Sequence, residues 1–347
     1  MERDGEPKIV RGPITVEDVA RLANVSVGTV SNVLNGSAVV SAKRRALVEQ
    51  AARELGYIPN MLAGGLKRRQ SSLIGVCVPH PSAPYFRAMS EKIESLTGQD
   101  GYDFLEVFSH HSPELEVRRL KTILKYRPGG MLLVPTANPY ESLDLLAQAG
   151  VPTVILDRAA EDGRFDQVIV DSREAMRKVV RLLIDNGHRS IVFLTENHAP
   201  LVTRNRLKGF RDAIRQAEPR IFARIRRRAD AAGAMVEQID GLMGERTRPT
   251  AIIVSNTAAA AWVVKALRVL EIRCPQDMSL VSVDDPGWAS LVQPSLTVVR
   301  QPTTQLSQIA WKLLRDRLRG VAQEPQRVLL DAEIVHGESV GPAPGTA

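Results

Sequence analysis

The chain has 347 residues, 44% of them hydrophobic, so it can bury a large core and is expected to fold as two or three domains. Cys77 and Cys274 fit neither a paired metal-ligand spacing nor a disulfide framework, which favours a reducing, cytoplasmic compartment. The first residues lack a signal-peptide core and no apolar run is long enough to span a membrane, while the net charge of +7 favours a polyanionic partner.

Residues 1–12 are expected to be a disordered tail, and residues 13–59 a domain of three short helices. Each helix has a residue that can cap its start, and acidic residues occupy the first turn of the first helix. The third helix instead carries basic residues on its early turns: Lys43, Arg44 and Arg45. The three helices are predicted at Thr15 to Ala23, Ser26 to Gly36 and Ser41 to Gly56.

The tight turn between the first two helices is typical of a helix-turn-helix, in which the second helix enters the DNA major groove. Val30 and Val33 must point into the small core, whereas Val27 fits the inner face or the outer one. Asn32 can bond adenine through two hydrogen bonds, Thr29 can contact a base or phosphate, and Val27 can touch a thymine methyl. An ordinary three-helix bundle with a solvated face is the alternative. The predicted base-reading positions are Val27, Gly28, Thr29 and Asn32.

The domain resembles the headpiece of the lac repressor (LacI/GalR) family in Thr15–Ala20, Val25–Gly36 and Leu55–Asn60, and the similarity continues to about residue 340. The resemblance implies a sequence-specific transcriptional regulator, acting as a repressor, that binds a near-palindromic duplex operator as a homodimer. It also implies DNA contacts from a set of residues in this domain: Thr15, Ser26, Val27, Gly28, Thr29, Ser31, Asn32, Asn35, Tyr57 and Asn60.

Residues 60–71 are expected to form a hinge helix and linker that fold on binding, because so few residues are not helical alone in water. The resemblance places Leu66 as a wedge in the minor groove, Ala63 against the partner hinge and Lys67 beside the DNA backbone. Gly64-Gly65 departs from the family pattern, and each glycine disfavours a helix by about 1 kcal/mol relative to alanine. A loose hinge is expected; a merely flexible linker is the alternative.

From residue 72 onward, strand-length apolar runs alternate with amphipathic helical stretches, which predicts a parallel sheet with crossover helices. This α/β region resembles the two-lobed, periplasmic-binding-protein-like (type I) effector domain of the family, whose chain crosses three times between lobes. The first lobe is placed at 72–168 and 299–326, the second at 169–298 and 327–341, and a tail at 342–347. The clearest strands are Leu73–Val78, Tyr102–Phe108, Gly130–Val134, Thr153–Leu156, Ser190–Leu194, Ala251–Val254 and Leu280–Val283.

Ligands of such folds bind at the carboxyl ends of strands. Tyr85 and Phe86 match family pocket positions, with core packing as the alternative. Asp157, which follows a strand together with Arg158, could form a pocket wall or a structural ion pair.

Arg206, whose forked side chain can hold two ligand oxygens, matches a further family pocket position. Asn256 and Asp284 match two more. Trp288 is a candidate to cover the opening, with an exposed interface tryptophan as the alternative. The acid that usually follows the matched asparagine is Thr257 here. Arg206, Asn256 and Asp284 together offer donors and acceptors for vicinal hydroxyls, so a sugar or sugar derivative is the expected effector, with purine-like compounds second.

The basic run Arg224–Arg228 has no fixed counterpart in the family, and a solvated surface, an anionic effector or a second acidic partner could account for it. The histidines show no metal spacing, and neither a metal nor a cofactor is expected. An enzyme or a transport-associated sugar-binding protein on the same α/β fold is the competing interpretation; no catalytic motif or export signal supports either. A dimer is expected rather than a tetramer, because residues 337–347 contain no leucine heptad.

Overall fold

A computed structural model describes residues 14–34, 40–58, 71–81, 83–195 and 201–345, without the side chains of 201 and 202. The chain divides into two compact units between Ser71 and Ser72. Most of the predicted hinge lies outside the described residues, as do five of the predicted DNA contacts: Asn35, Asn60, Ala63, Leu66 and Lys67.

The first unit contains helices α1 (Val16–Ala23), α2 (Val27–Leu34) and α3 (Ala42–Leu55), as predicted. The Thr15 hydroxyl caps α1 by accepting from the Asp18 amide, and the Asp18 carboxylate accepts from the Thr15 amide at 2.9 Å. At α2, the Ser26 hydroxyl accepts from the Thr29 amide at 3.2 Å. Gly56 ends α3 in the left-handed region at φ 64°, where glycine has no steric penalty. These local bonds explain why the sequence alone places the helix boundaries.

A small apolar core holds the three helices together. Val19, Val30 and Val48 contribute one fully buried side chain from each helix, and Val33 is also buried. Val27 is 42% exposed, so it belongs to the outer face of α2.

The second unit contains two six-stranded sheets, one in each lobe, which confirms the predicted α/β fold class. The first-lobe sheet is parallel throughout and has the order β11-β5-β4-β3-β1-β2. Its strands are β1 (Leu73–Val78), β2 (Asp103–Phe108), β3 (Gly130–Leu133), β4 (Thr153–Asp157), β5 (Asp166–Val170) and β11 (Arg327–Leu330).

The second-lobe sheet has the order β12-β10-β9-β8-β6-β7, and only β12 runs antiparallel to its neighbour. Its strands are β6 (Ser190–Thr195), β7 (Phe222–Arg227), β8 (Ala251–Val254), β9 (Ser279–Val283), β10 (Thr297–Arg300) and β12 (Glu333–Val335). The central strands of both sheets are buried along their length, as expected when helices cover both faces.

Helices connect the strands and pack on the sheets. The connecting helices are α4 (Pro84–Gln99), α5 (Pro113–Lys125), α6 (Tyr140–Ala149), α7 (Ser172–Asp185), α8 (Leu201–Arg215), α9 (Ala232–Met243), α10 (Thr257–Val269) and α11 (Thr303–Leu318). Helix α11 follows a second-lobe strand but packs on the first-lobe strands and α4, so the chain returns to the first lobe there.

The expected lobe boundaries at 168/169, 298/299 and 326/327 are wrong by a few residues. Strand β5 pairs with β4 and β11 through Val170, and β10 pairs with β12 through Arg300, so neither strand is divided between lobes. Strand β11, expected in the second lobe, pairs with β5 in the first. The three crossings therefore lie after β5, after β10 and between β11 and β12.

The carboxyl-terminal segment packs further than expected. Ala343 is buried, and its amide donates to the Asn186 carbonyl at 2.8 Å, so the packed domain extends past the expected end at residue 341. The buried His188 ring lies 3.1 Å from the Gly341 carbonyl and 3.0 Å from the Thr250 hydroxyl. Burial lowers the pKa of His188 to about 4, so the ring is neutral at pH 7.

Candidate nucleic-acid interface and effector cleft

Helix α2 presents a polar outer face because its two buried valines fix its orientation on the headpiece core. Val27 and Gly28 are exposed, while Thr29, Ser31 and Asn32 are half-buried. The Thr29 hydroxyl lies 2.9 Å from the Ser26 hydroxyl. The outer positions predicted from the sequence therefore share one face of the helix, where side chains of this length could reach base edges.

The start of α3 is basic, against the preference of a helix for acidic residues at its amino end. Lys43 and Arg44 are exposed in the first turn, which contains no acidic residue, and the Ser41 side chain makes no capping hydrogen bond. Positive charges here repel the helix dipole and do not stabilise the fold. Their placement suits a phosphate backbone, which supplies the missing negative charge.

A cavity of about 430 Å³ lies in the second unit, at the carboxyl ends of strands from both lobes. Its lining includes six of the seven predicted effector contacts: Tyr85, Phe86, Asp157, Arg206, Asn256 and Asp284. A volume of this size lies within the usual range of small-molecule sites.

The first-lobe wall joins the start of α4 to the end of β4. The Tyr85 hydroxyl donates to the Asp157 carboxylate at 2.9 Å. Arg158 approaches the same carboxylate at 3.7 Å, donates to the Pro135 carbonyl at 3.2 Å and lies over the Phe86 ring. Asp157 therefore both lines the cavity and forms an ion pair with Arg158. The pocket wall and the structural ion pair, offered as alternatives from the sequence, are both present.

The second-lobe wall is organised by Arg206 of α8. Its guanidinium donates to the Ser255 carbonyl at 2.9 Å and to the Asp284 carboxylate at 3.2 Å. Gln301 donates to the same Asp284 oxygen at 2.8 Å. The Asn256 side chain caps α10 by accepting from the Ala259 amide at 2.9 Å.

Burial changes the protonation of the groups in this cleft. Burial, reinforced by the charge of Asp157, raises the pKa of Tyr85 well above its usual value, so the hydroxyl remains a donor. Burial also raises the pKa of Asp157 and of Asp284, opposed by Arg158 in the first case and by Arg206 in the second. Buried carboxylates of this kind gain stability from additional donors, such as ligand hydroxyls.

The structure separates Trp288 from the other candidates. Its half-buried side chain packs against the apolar core of the second lobe, and it is not among the described residues that line the cavity. The sequence could not distinguish these roles, because a tryptophan after a strand is equally compatible with a core edge and a cleft.

The sequence interpretation also missed several lining residues and only partly resolved the basic run. Arg224 is buried and forms an ion pair with Glu245, whereas Arg226 and Arg227 are exposed. Arg228 lines the cavity. The arginines of this run therefore have different environments, and no single role accounts for all of them. Arg158, considered together with Asp157, also lines the cavity. Other lining residues absent from the prediction are His80, Ala83, Pro84, His111, Thr203, Ser255, Thr257 and Ala258.

Two family models match the chain: residues 15–60 match bacterial regulatory proteins of the lacI family, and residues 180–340 match a periplasmic binding protein-like domain. The ribose operon repressor of Escherichia coli (strain K12) is 31% identical over 318 residues, or 91% of this chain and 96% of that protein. The HTH-type transcriptional repressor PurR of Proteus mirabilis (strain HI4320) is 29% identical over 333 residues, or 95% of this chain and 98% of that protein.

The fold is also similar to that of the lac repressor dimer bound to operator and the anti-inducer ONPF, with a TM-score of 0.81 and 27% identity. That similarity covers 94% of this chain and 99% of the other. A helix-turn-helix unit and a two-lobed α/β unit with a polar cleft, combined in one chain, define a ligand-responsive transcription regulator. The chain belongs to the lacI family of bacterial regulatory proteins.

Two further properties concern only the described parts of the chain. No described helix is long and apolar enough to cross a membrane. No group of three or more His, Cys, Asp or Glu side chains within the described ranges could hold a metal ion.

Proposed function

We propose that this protein is a sequence-specific transcriptional repressor that binds a near-palindromic operator as a homodimer and is controlled by a sugar-like effector in the interlobe cleft. The observation that carries the proposal is the orientation of α2. Val30 and Val33 anchor the helix, so that Gly28, Thr29 and Asn32 lie on its outer face.

The proposed DNA interface divides its contacts into two classes. Val27, Thr29 and Asn32 read base edges, whereas Lys43 and Arg44 approach phosphates and contribute affinity without sequence preference. Further contacts are assigned to Thr15, Ser26, Gly28, Ser31 and Tyr57, and to residues outside the described ranges: Asn35, Asn60, Ala63, Leu66 and Lys67.

The proposed effector site uses the two facing walls of the cleft. Asp157 and Asp284 accept from ligand hydroxyls, Arg206 donates to ligand oxygens, and Tyr85 and Phe86 contribute an aromatic wall. A monosaccharide presents hydroxyls in several directions and one apolar face, which suits this combination of polar groups and rings. Ligand control requires only that the effector favour one arrangement of the lobes by a few kcal/mol.

Relatives named as repressors support a regulatory role rather than an enzymatic one. We place the protein in the cytoplasm, because its proposed partner is chromosomal DNA.

Gly64 and Gly65 make the proposed hinge a weak helix. Replacing both by alanine is expected to tighten operator binding and reduce effector control.

The experiment is selection of duplexes from a randomised library, followed by anisotropy titration of the selected duplex and a scrambled one. We expect a two-fold symmetric consensus, a stoichiometry of two chains per duplex and affinity that falls with salt concentration. The matched control exchanges Asn32 for Ala, which removes a base contact without changing charge. Equal affinity of the wild-type protein for the selected and scrambled duplexes would refute the proposal.

A further inference from the structure

The cleft contains a second group of polar contacts, distinct from the Arg206 and Asp284 pair. Arg228, at the end of the basic run, lines the cavity together with Ser255, Thr257 and Ala258. We refer to these four residues as the anion subsite.

Arg228 is held in place beside α10. Its guanidinium lies 5.4 Å from the ring centroid of Trp262, on the same helix, and donates to the Ala229 carbonyl at 3.0 Å. Only 16% of its side chain is exposed. A stacked, largely buried arginine is pre-organised for a planar or tetrahedral anion, because little rotamer freedom remains to be lost on binding.

The start of α10 supplies the second part of the subsite. Thr257 and Ala258 are the first residues of a 13-residue helix, whose first amides have no acceptor within the helix. The Asn256 side chain accepts from the amide of Ala259, one residue further along, and not from the amides of Thr257 and Ala258, which both line the cavity. Such a terminus favours negative charge.

A second, independent observation is a buried hydroxyl beside these amides that has no hydrogen-bond partner in the described part of the chain. Ser255 is 4% exposed, yet its hydroxyl has no hydrogen-bond partner among the described residues. A buried hydroxyl without a partner costs free energy, and an anionic oxygen in the cavity would accept from it. Thr257 supplies a further hydroxyl and no charge, so no carboxylate at this position repels an anion.

The charges of the described lining favour the same ligand. Two arginines, Arg158 and Arg206, each have an aspartate of their own lobe within ion-pair distance. Arg228 adds a third arginine to a lining whose described acidic residues are only these two aspartates. Its own ion-pair partner, Asp230 at 3.7 Å, is 68% exposed and does not line the cavity, so water screens that pair. We infer that the effector is an anionic sugar derivative whose phosphate or carboxylate binds to the anion subsite while its hydroxyls contact Arg206 and Asp284. This inference rests on the proposed function.

The test compares matched ligands by calorimetric titration of the full-length protein. One series is D-ribose, D-ribose 5-phosphate and D-ribonate; the other is D-glucose, D-glucose 6-phosphate and D-gluconate. We expect at least one anion to bind about tenfold or more tightly than its neutral parent, as a charge-assisted contact predicts, and to weaken as salt is added. The phosphate and carboxylate members of each series distinguish the two anion chemistries.

Two variants place the effect at the subsite. Arg228→Gln removes the guanidinium, and Thr257→Asp introduces a repelling carboxylate at a helix position where an acid favours folding. Both are expected to abolish the preference for the anion. Arg226→Gln is the matched control, because Arg226 is an exposed arginine of β7, two residues before Arg228, and does not line the cavity. It is expected to keep the preference.

The inference is overturned if no anion binds more tightly than its neutral parent, or if the preference survives both Arg228→Gln and Thr257→Asp. Operator titration of the same samples separates this result from failure of the proposed function. If only the effector class is wrong, the wild-type protein still binds the selected duplex more tightly than the scrambled one. If the proposed function is wrong, the wild-type protein shows no such selectivity.

Discussion

Replacing Gly209 by alanine tests how closely α8 must approach α7. Within a helix, alanine is ordinarily more stable than glycine by about 1 kcal/mol. Here an added Cβ would overlap the Arg173 carbonyl oxygen of α7 and lie 2.9 Å from the carbonyl carbon. Backbone atoms cannot rotate out of the way, so the two helices would have to separate.

The expected sign of the change in unfolding free energy follows from comparing the cost of overpacking with the gain in helix propensity. Overpacking costs about 1–3 kcal/mol, which exceeds the gain in helix propensity, so Gly209→Ala should destabilise the second unit by up to about 2 kcal/mol. The shift also affects the cleft, because Arg206 lies three residues earlier on the same helix. Its hydrogen bonds to Ser255 and Asp284 would lengthen, and effector affinity should fall together with stability.

The assay is urea unfolding followed by circular dichroism, with Gly241→Ala as the matched control. Gly241 lies within α9, and a Cβ there would meet no described atom within 4 Å outside its own turns. The control should therefore gain about 0.5–1 kcal/mol. If Gly209→Ala is also as stable as the wild-type protein or more stable, the packing argument is incorrect.

Three further predictions concern pH, DNA and the effector. The pKa of His188 is about 4 in the folded protein against an ordinary value of 6.5 in the unfolded chain, so stability should be greatest above pH 6.5 and fall by about 3 kcal/mol as pH drops toward 4. Unfolding of His188→Gln at pH 7 and pH 5 should show a smaller pH dependence than the wild-type protein, and an equal dependence would contradict the assignment. Asn32→Ala should weaken operator binding by about 5- to 150-fold, the value of a bidentate base contact, while binding to a scrambled duplex is unchanged by anisotropy. Asp284→Asn should reduce effector affinity by about tenfold or more, because Arg206 loses a charged partner, and a calorimetric titration within a factor of two of wild type would exclude that role.

The sequence predicted the headpiece helices well because their boundaries depend on nearby residues. The Thr15 and Asp18 capping bonds and the left-handed Gly56 are local, so a sequence pattern contains the information needed. The buried valines of α2 likewise follow from helical spacing. Only Val27 was ambiguous, because a position at the edge of the apolar face can lie on either side.

The lobe assignment of β11 and β12 could not be predicted in the same way. Both are short edge strands separated by Asp331 and Ala332, and their sequences do not specify which sheet edge each one joins. The choice depends on pairing with β5 and β10, which are distant in sequence. The same limitation applies to Arg224, whose burial depends on Glu245 and on the Thr247 carbonyl, to which it donates at 2.7 Å.

The Asp284 carboxylate provides a physical route from ligand to lobe arrangement. One of its oxygens accepts from both Arg206 and Gln301, and Gln301 lies at the second crossing between the lobes. Asp284 itself has φ 95°, a conformation that a residue with a side chain adopts only when its surroundings hold it there. A ligand hydroxyl that donates to this carboxylate would compete with the hydrogen bond from Gln301, which belongs to the crossing segment. In the proposed regulator, this shared carboxylate oxygen would therefore couple binding in the cleft to the position of the lobes.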